Sequence, residues 1–178
     1  MLRGILFAIV AVLAVFAGYV ALQPAEGRIV RSATLAASPA EIFPHVNDFH
    51  MWQAWSPWAK LDPNAKATFE GPETGAGAAF SWDGNDEVGA GKMTIAESVP
   101  NERIKIRLDF TKPMANTSYA EFTFKPDGTK TLVTWDMRGE SGFFQRAICI
   151  LMNADKMVGD MFEKGLANLD AASSGKAG

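Results

Sequence analysis

Two carboxylates carry the chemistry that the sequence offers most directly. Asp155 falls inside a run whose apolar residues, Phe144, Ile148, Leu151, Val158, Phe162, Leu166 and Leu169, recur every three or four positions. At the helical turn angle it projects within about 20° of Phe144 and Phe162, in the middle of that stripe. Glu97 lies in a strand-like run, Gly91 to Ser98, where alternation with Met93 and Ile95 turns it to the same side as they are. A carboxylate in apolar surroundings needs a partner, because burying it unpaired is costly. One reading makes Asp155 a ligand-orienting or proton-transfer group, with Glu97 as a second carboxylate for general acid–base work. The other makes Asp155 structural, accepting a hydrogen bond from a tryptophan indole or reaching water where the helix distorts near Gly159.

Other reactive residue types are not arranged for chemistry. His45 and His50 stand five apart across an expected helix break, without Cys or carboxylate at ligand spacing, so no metal centre is expected. Cys149 groups with Arg146, Asn153 and Lys156 on the wet side of the helix and has no partnered histidine in sight. Gly75-Ala76-Gly77 reads as a loop, and no phosphate-binding glycine motif occurs, so no cofactor is expected. Seventeen Lys and Arg against 20 Asp and Glu, with no basic cluster, argue against nucleic acid as partner.

Aromatic residues are the stronger signal. Five Trp and 12 Phe in 178 residues point to a dense core or an apolar cavity. Strand parity puts Phe80, Trp82, Met93, Ile106, Leu108, Phe110 and Phe122 on one inner face, with Trp135 on the last strand. Trp55, Trp58, Met152 and Asp155 are expected to complete the lining of a hydrophobic ligand site, Met152, Met157 and Met161 being soft enough to adapt to an irregular ligand. Trp52 and Trp55 lie three apart on a short helix. They suit either a pocket rim or a seal between helix and sheet, and the seal is the reading preferred here.

The elements that must position these residues follow a simple order. Arg28 to Leu35 reads as a first strand. Ser38-Pro39-Ala40-Glu41 combines a cap, a proline at the first helical position and a capping-box glutamate. Pro44 and Asn47-Asp48 limit that helix, and Asp48 caps a second short one reaching Trp55. Strands then run from Ala67 through Ala78–Trp82, Gly91–Ser98, Arg103–Phe110, Tyr119–Phe124 and Leu132–Met137, separated by turns such as Pro126-Asp127-Gly128. One long helix, Phe143 to Leu169, closes the chain. The order is α+β.

Ahead of this domain, Gly4 to Leu22 is nineteen residues without charge. As a helix it spans about 28 Å, close to the ~30 Å hydrocarbon core. A cleaved signal has a shorter apolar stretch and a small-residue exit, which Leu22-Gln23-Pro24-Ala25 lacks, so an uncleaved anchor is expected that packs on lipid and not on the domain. Arg3 precedes the run while Arg28 and Arg31 follow it, a near balance under the positive-inside rule. The short head favours an extracytoplasmic domain. The expected division is anchor 1–23, linker 24–27, ligand-binding domain 28–172 and disordered tail 173–178.

The W-x-x-W-S-P-W stretch from Trp52 to Trp58 follows the second short helix. With the terminal segments Met152–Gly159 and Phe162–Leu169, it is similar to the SRPBCC superfamily and its START and polyketide cyclase/dehydrase-like members. The resemblance spans Arg28 to Asp170. It implies a helix-grip fold: a curved antiparallel sheet wrapped around the long C-terminal helix, with the two short helices closing one end of an apolar cavity. Three functions remain open at this point. They are a membrane-tethered carrier of a hydrophobic small molecule or lipid, a cyclase/dehydrase-like enzyme using pocket carboxylates, and a membrane accessory protein that binds another protein.

Overall fold

Alternating apolar and polar residues along successive strands build one seven-stranded antiparallel sheet. The computed structural model describes residues 2–175. Helix α1 (Leu2–Leu22) leads into β1 (Glu26–Leu35), then α2 (Pro39–Asn47), a 3₁₀ turn (Phe49–Met51) and α3 (Trp52–Trp55). Strands β2 (Lys66–Glu70), β3 (Ala79–Asp83), β4 (Ala90–Val99), β5 (Arg103–Lys112), β6 (Asn116–Asp127) and β7 (Lys130–Glu140) follow, then α4 (Phe143–Leu151) and α5 (Ala154–Ser173). The sheet order is β1-β7-β6-β5-β4-β3-β2. The short helices carry the chain from β1 to the far edge, and the meander returns it to β7, which pairs with β1 along its whole length.

Local chemistry sets the short helices. Glu41 accepts hydrogen bonds from the Ser38 backbone N–H (2.8 Å) and hydroxyl (2.7 Å), and Asp48 accepts from the His50 N–H (2.8 Å). The Trp52 and Trp55 indoles donate to the carbonyls of Val46 (3.0 Å) and His45 (2.9 Å), fixing α3 across α2. Both rings then press into the sheet beside Phe122 and Trp135. They seal helix to sheet.

Helix α5 lies on the inner face of the sheet, where Phe162, Leu166 and Leu169 are buried. Each contributes about 1.5–3 kcal/mol through burial. Phe162 stacks on Trp135 with ring centroids 4.0 Å apart. That approach needs Gly165, where a Cβ would meet the Trp135 ring at 2.9 Å.

The single long helix read from the sequence is two. The chain breaks between Leu151 and Ala154, with Asn153 in the left-handed region at φ 50. Asparagine tolerates that conformation because its short polar side chain carries little of the steric penalty. The break rotates α4 out of phase with α5, so Phe144, Ile148 and Leu151 face outward, not into the core. At the other boundaries, β1 starts at Glu26, inside the expected linker. The expected tail is helical at Ser173, while its last residues, 176–178, lie outside the described residues.

Candidate ligand-binding cavity

Arg31 governs how far α5 covers the sheet. From β1 its guanidinium donates to the Asp155 backbone carbonyl (3.1 Å), to Asp155 Oδ2 (3.2 Å) and to Glu163 Oε1 (3.1 Å). The guanidinium occupies the space in which Gly159 has no side chain. The start of α5 is thereby pinned at the middle of β1. The first half of that strand, with the ends of β5, β6 and β7, extends past the start of α5 to where α4 lies.

A cavity of about 580 Å³ fills that gap, within the range of small-molecule sites. Ile29 of β1, Met137 of β7 and Phe110 of β5 form the sheet wall, and Ile150 and Val158 form the helix wall. Gln23 and Pro24, immediately after α1, and Met114 in the β5–β6 turn also border it. The inward side of α4 supplies polar groups, Gln145, Arg146 and Cys149. Cys149 is therefore half-buried against the cavity and not on a wet face, and among the described residues no histidine borders that cavity. Arg146 donates to the Gln23 carbonyl (2.7 Å), while its Nε is buried without a partner among the described residues. An unpaired buried donor of this kind is costly unless an acceptor meets it.

The sequence-derived site residues divide by depth. Trp55, Met93, Ile106, Phe122 and Trp135 are buried in the core, with Trp58, Phe80, Trp82 and Leu108 packed against it. Phe110 and Asp155 border the cavity. Met152 stands 57% exposed at the helix break.

Asp155 is not inside the apolar stripe. It lies in the first turn of α5 with its side chain 64% exposed, paired to Arg31 at the cavity edge. Glu97 is not inward either. Ala96 has no partner in the β4–β5 ladder, and this bulge reverses parity beyond Ile95. Glu97 consequently pairs on the outer face with Arg103 and Lys105, while Ser98 turns in to bond Asn47 (2.7 Å). Hydrogen bonds from Arg103 and then Lys105 hold the Glu97 carboxyl below its usual range. Periodicity does not reveal the cavity residues Ile150, Gln145 and Arg146. Asn153 is the one sequence signal that would have separated α4 from α5.

Outside the cavity, burial pushes the Asp136 carboxyl up. Hydrogen bonds and charge from Arg28 and Arg138 outweigh this and bring it down to about 2. A smaller hollow of about 180 Å³ lies beside β2. There His50 stacks on Phe69 (4.0 Å) and its Nδ1 lies 2.8 Å from Asp48.

Among known proteins, the family model for polyketide cyclase / dehydrase and lipid transport matches residues 26–174, the whole of the sheet and α5. The chain belongs to this family. Its fold is the helix-grip fold, as solved structures also show. Protein MLL2253 from Mesorhizobium loti superposes with a TM-score of 0.62 at 14% identity, covering 85% of this chain and 99% of that one. A protein from Arthrobacter aurescens gives 0.59 at 17% identity, covering 84% and 87%. CalU16 from Micromonospora echinospora gives 0.56 at 16% identity, covering 85% and 76%. No curated protein matches in sequence. The family's description joins enzymes to lipid transport, and both uses are consistent with an apolar cavity between sheet and helix.

Proposed function

We propose that this protein is a membrane-tethered binding and carrier domain for a hydrophobic small molecule or lipid, held between α4 and the open end of the sheet. The cavity carries this reading. Its walls are Ile29, Phe110, Met137, Ile150 and Val158, and Arg146 Nε is one buried donor still lacking an acceptor. That combination suits a ligand that is apolar along most of its length with an acceptor oxygen near one end.

Helix α1 is long and apolar enough to cross a membrane, and we read it as an uncleaved anchor with the domain on the extracytoplasmic side. In support, its end is tied to the domain: Val20 is fully buried, and Arg146 holds the carbonyl of Gln23. The expectation that the anchor packs on lipid alone is thus modified at its last turn.

The proton-transfer alternative loses its second carboxylate, because Glu97 faces away from the helices. The test compares organic extracts of the purified full chain and of Val158→Trp, which pushes an indole into the cavity from its helix wall. Mass spectrometry should find an amphiphile near one equivalent per chain in the native protein and not in the variant. Equal extracts from two folded proteins would contradict a bound ligand at this site.

A further inference from the structure

Helix α4 is built inside out. Its polar residues Gln145, Arg146 and Cys149 face the cavity, while Phe144 (80% exposed), Leu151 (72%) and Ile148 (42%) face away from the protein. These three fall within about 60° of one another around the helix axis. Phe143 and Met152 extend the patch at its two ends. A contiguous apolar stripe on a soluble domain marks an interaction surface.

We propose that this stripe lies in the lipid–water interface of the membrane that holds α1, so that the cavity opens at the bilayer surface and exchanges its ligand with lipid directly. The proposal rests on the reading of α1 as a membrane anchor. Three observations make the bilayer the occupant. First, α1 packs against α4, and along it Val20 is buried and Phe16, one turn earlier, half-buried. Second, the 21 residues of α1 span about 32 Å as a helix, barely the hydrocarbon thickness. Its last turn is then at the interface, and whatever packs on that turn is there too. Third, only residues 23–25 separate α1 from β1, too few to lift the domain away from lipid.

The composition of α4 agrees. FFQRAICIL contains no acidic residue, so α4 carries no negative charge for an anionic surface to repel. Gln23, Pro24 and the 43%-exposed Met114 border the cavity at this same end.

The experiment uses the full chain with Cys149→Ser, reconstituted in phosphatidylcholine–phosphatidylglycerol vesicles. Single cysteines at Phe144, Leu151, Val12 and Thr129 carry an environment-sensitive NBD fluorophore. Lipids bearing spin labels near the headgroup or deep in the acyl chain act as quenchers. Labels from Phe144→Cys and Leu151→Cys should be quenched several-fold more by the shallow quencher than by the deep one. The label from Val12→Cys should prefer the deep quencher, and that from Thr129→Cys, at the opposite end of the sheet, should respond to neither. Unquenched labels at 144 and 151 alongside a quenched label at 12 would overturn the interfacial helix and leave the anchor standing. So would self-quenching at 144 without lipid quenching, which means that a second copy covers the stripe. An unquenched label at 12 would overturn the anchor itself, and this proposal with it.

Discussion

Arg31 and Asp136 show how single charged residues set the limits of the site. Arg31 pairs with Asp155 at the cavity edge, so a residue that helical position placed in the apolar stripe, as either a structural or a proton-transfer group, stands largely exposed. The sequence periodicity was sound along α5, yet Asp155 sits at that helix's first turn, where the stripe has not begun to bury. Glu97 was illegible for a different reason, since one bulged residue, Ala96, inverts every parity argument after it. Asp136 carries a testable pH dependence. Its folded pKa lies below the ordinary 3.8, at about 2. The ion pairs with Arg28 and Arg138 therefore contribute stability above pH 4, and that stability is lost as the pH falls through 2. Chemical denaturation should show the native chain losing about 2 kcal/mol across this window through Asp136. Asp136→Asn should be less stable at neutral pH and lack that part of the acid loss. An unchanged acid profile would mean that the pairs contribute nothing.

Among the elements, strands and short helices were readable and the terminal helix was not. Clean alternation in Arg103–Phe110 and the capping box at Ser38–Glu41 each specify local structure without help from distant contacts. The run from Phe143 to Leu169 keeps one apolar period through its break, so periodicity alone cannot show that one half faces the core and the other half faces outward. Asn153 decides it. Asn153→Gly keeps the left-handed turn and should leave stability within about 1 kcal/mol, whereas Asn153→Val must strain or straighten it and should cost about 1–2 kcal/mol. Thermal unfolding of the two variants checks this; equal midpoints would show that the turn is not held by its backbone conformation.

For the whole molecule, aromatic content pointed to a dense core or an apolar cavity; the structure has the core at the centre of the grip and the larger hollow at one end. Trp52, Trp55, Phe122, Trp135 and Phe162 are large enough to fill the centre among themselves. The larger of the two hollows described above opens where α5 begins and α4 swings away. Composition could not reveal this, because it depends on how a helix break and a strand arginine combine in space. The same arrangement brings the end of α1, the polar side of α4 and the cavity together, and from it follows the reading of a carrier working at a membrane. Photolabelling tests that reading most directly: the full chain in vesicles containing a diazirine-bearing fatty-acyl probe, with adducts mapped by peptide mass spectrometry. Adducts on the inward residues Ile29, Met137, Ile150 and Val158, suppressed by Val158→Trp at the three that remain, are the predicted result. Adducts confined to α1 and the outer residues of α4 would show lipid around the protein and none within it, and would contradict the account.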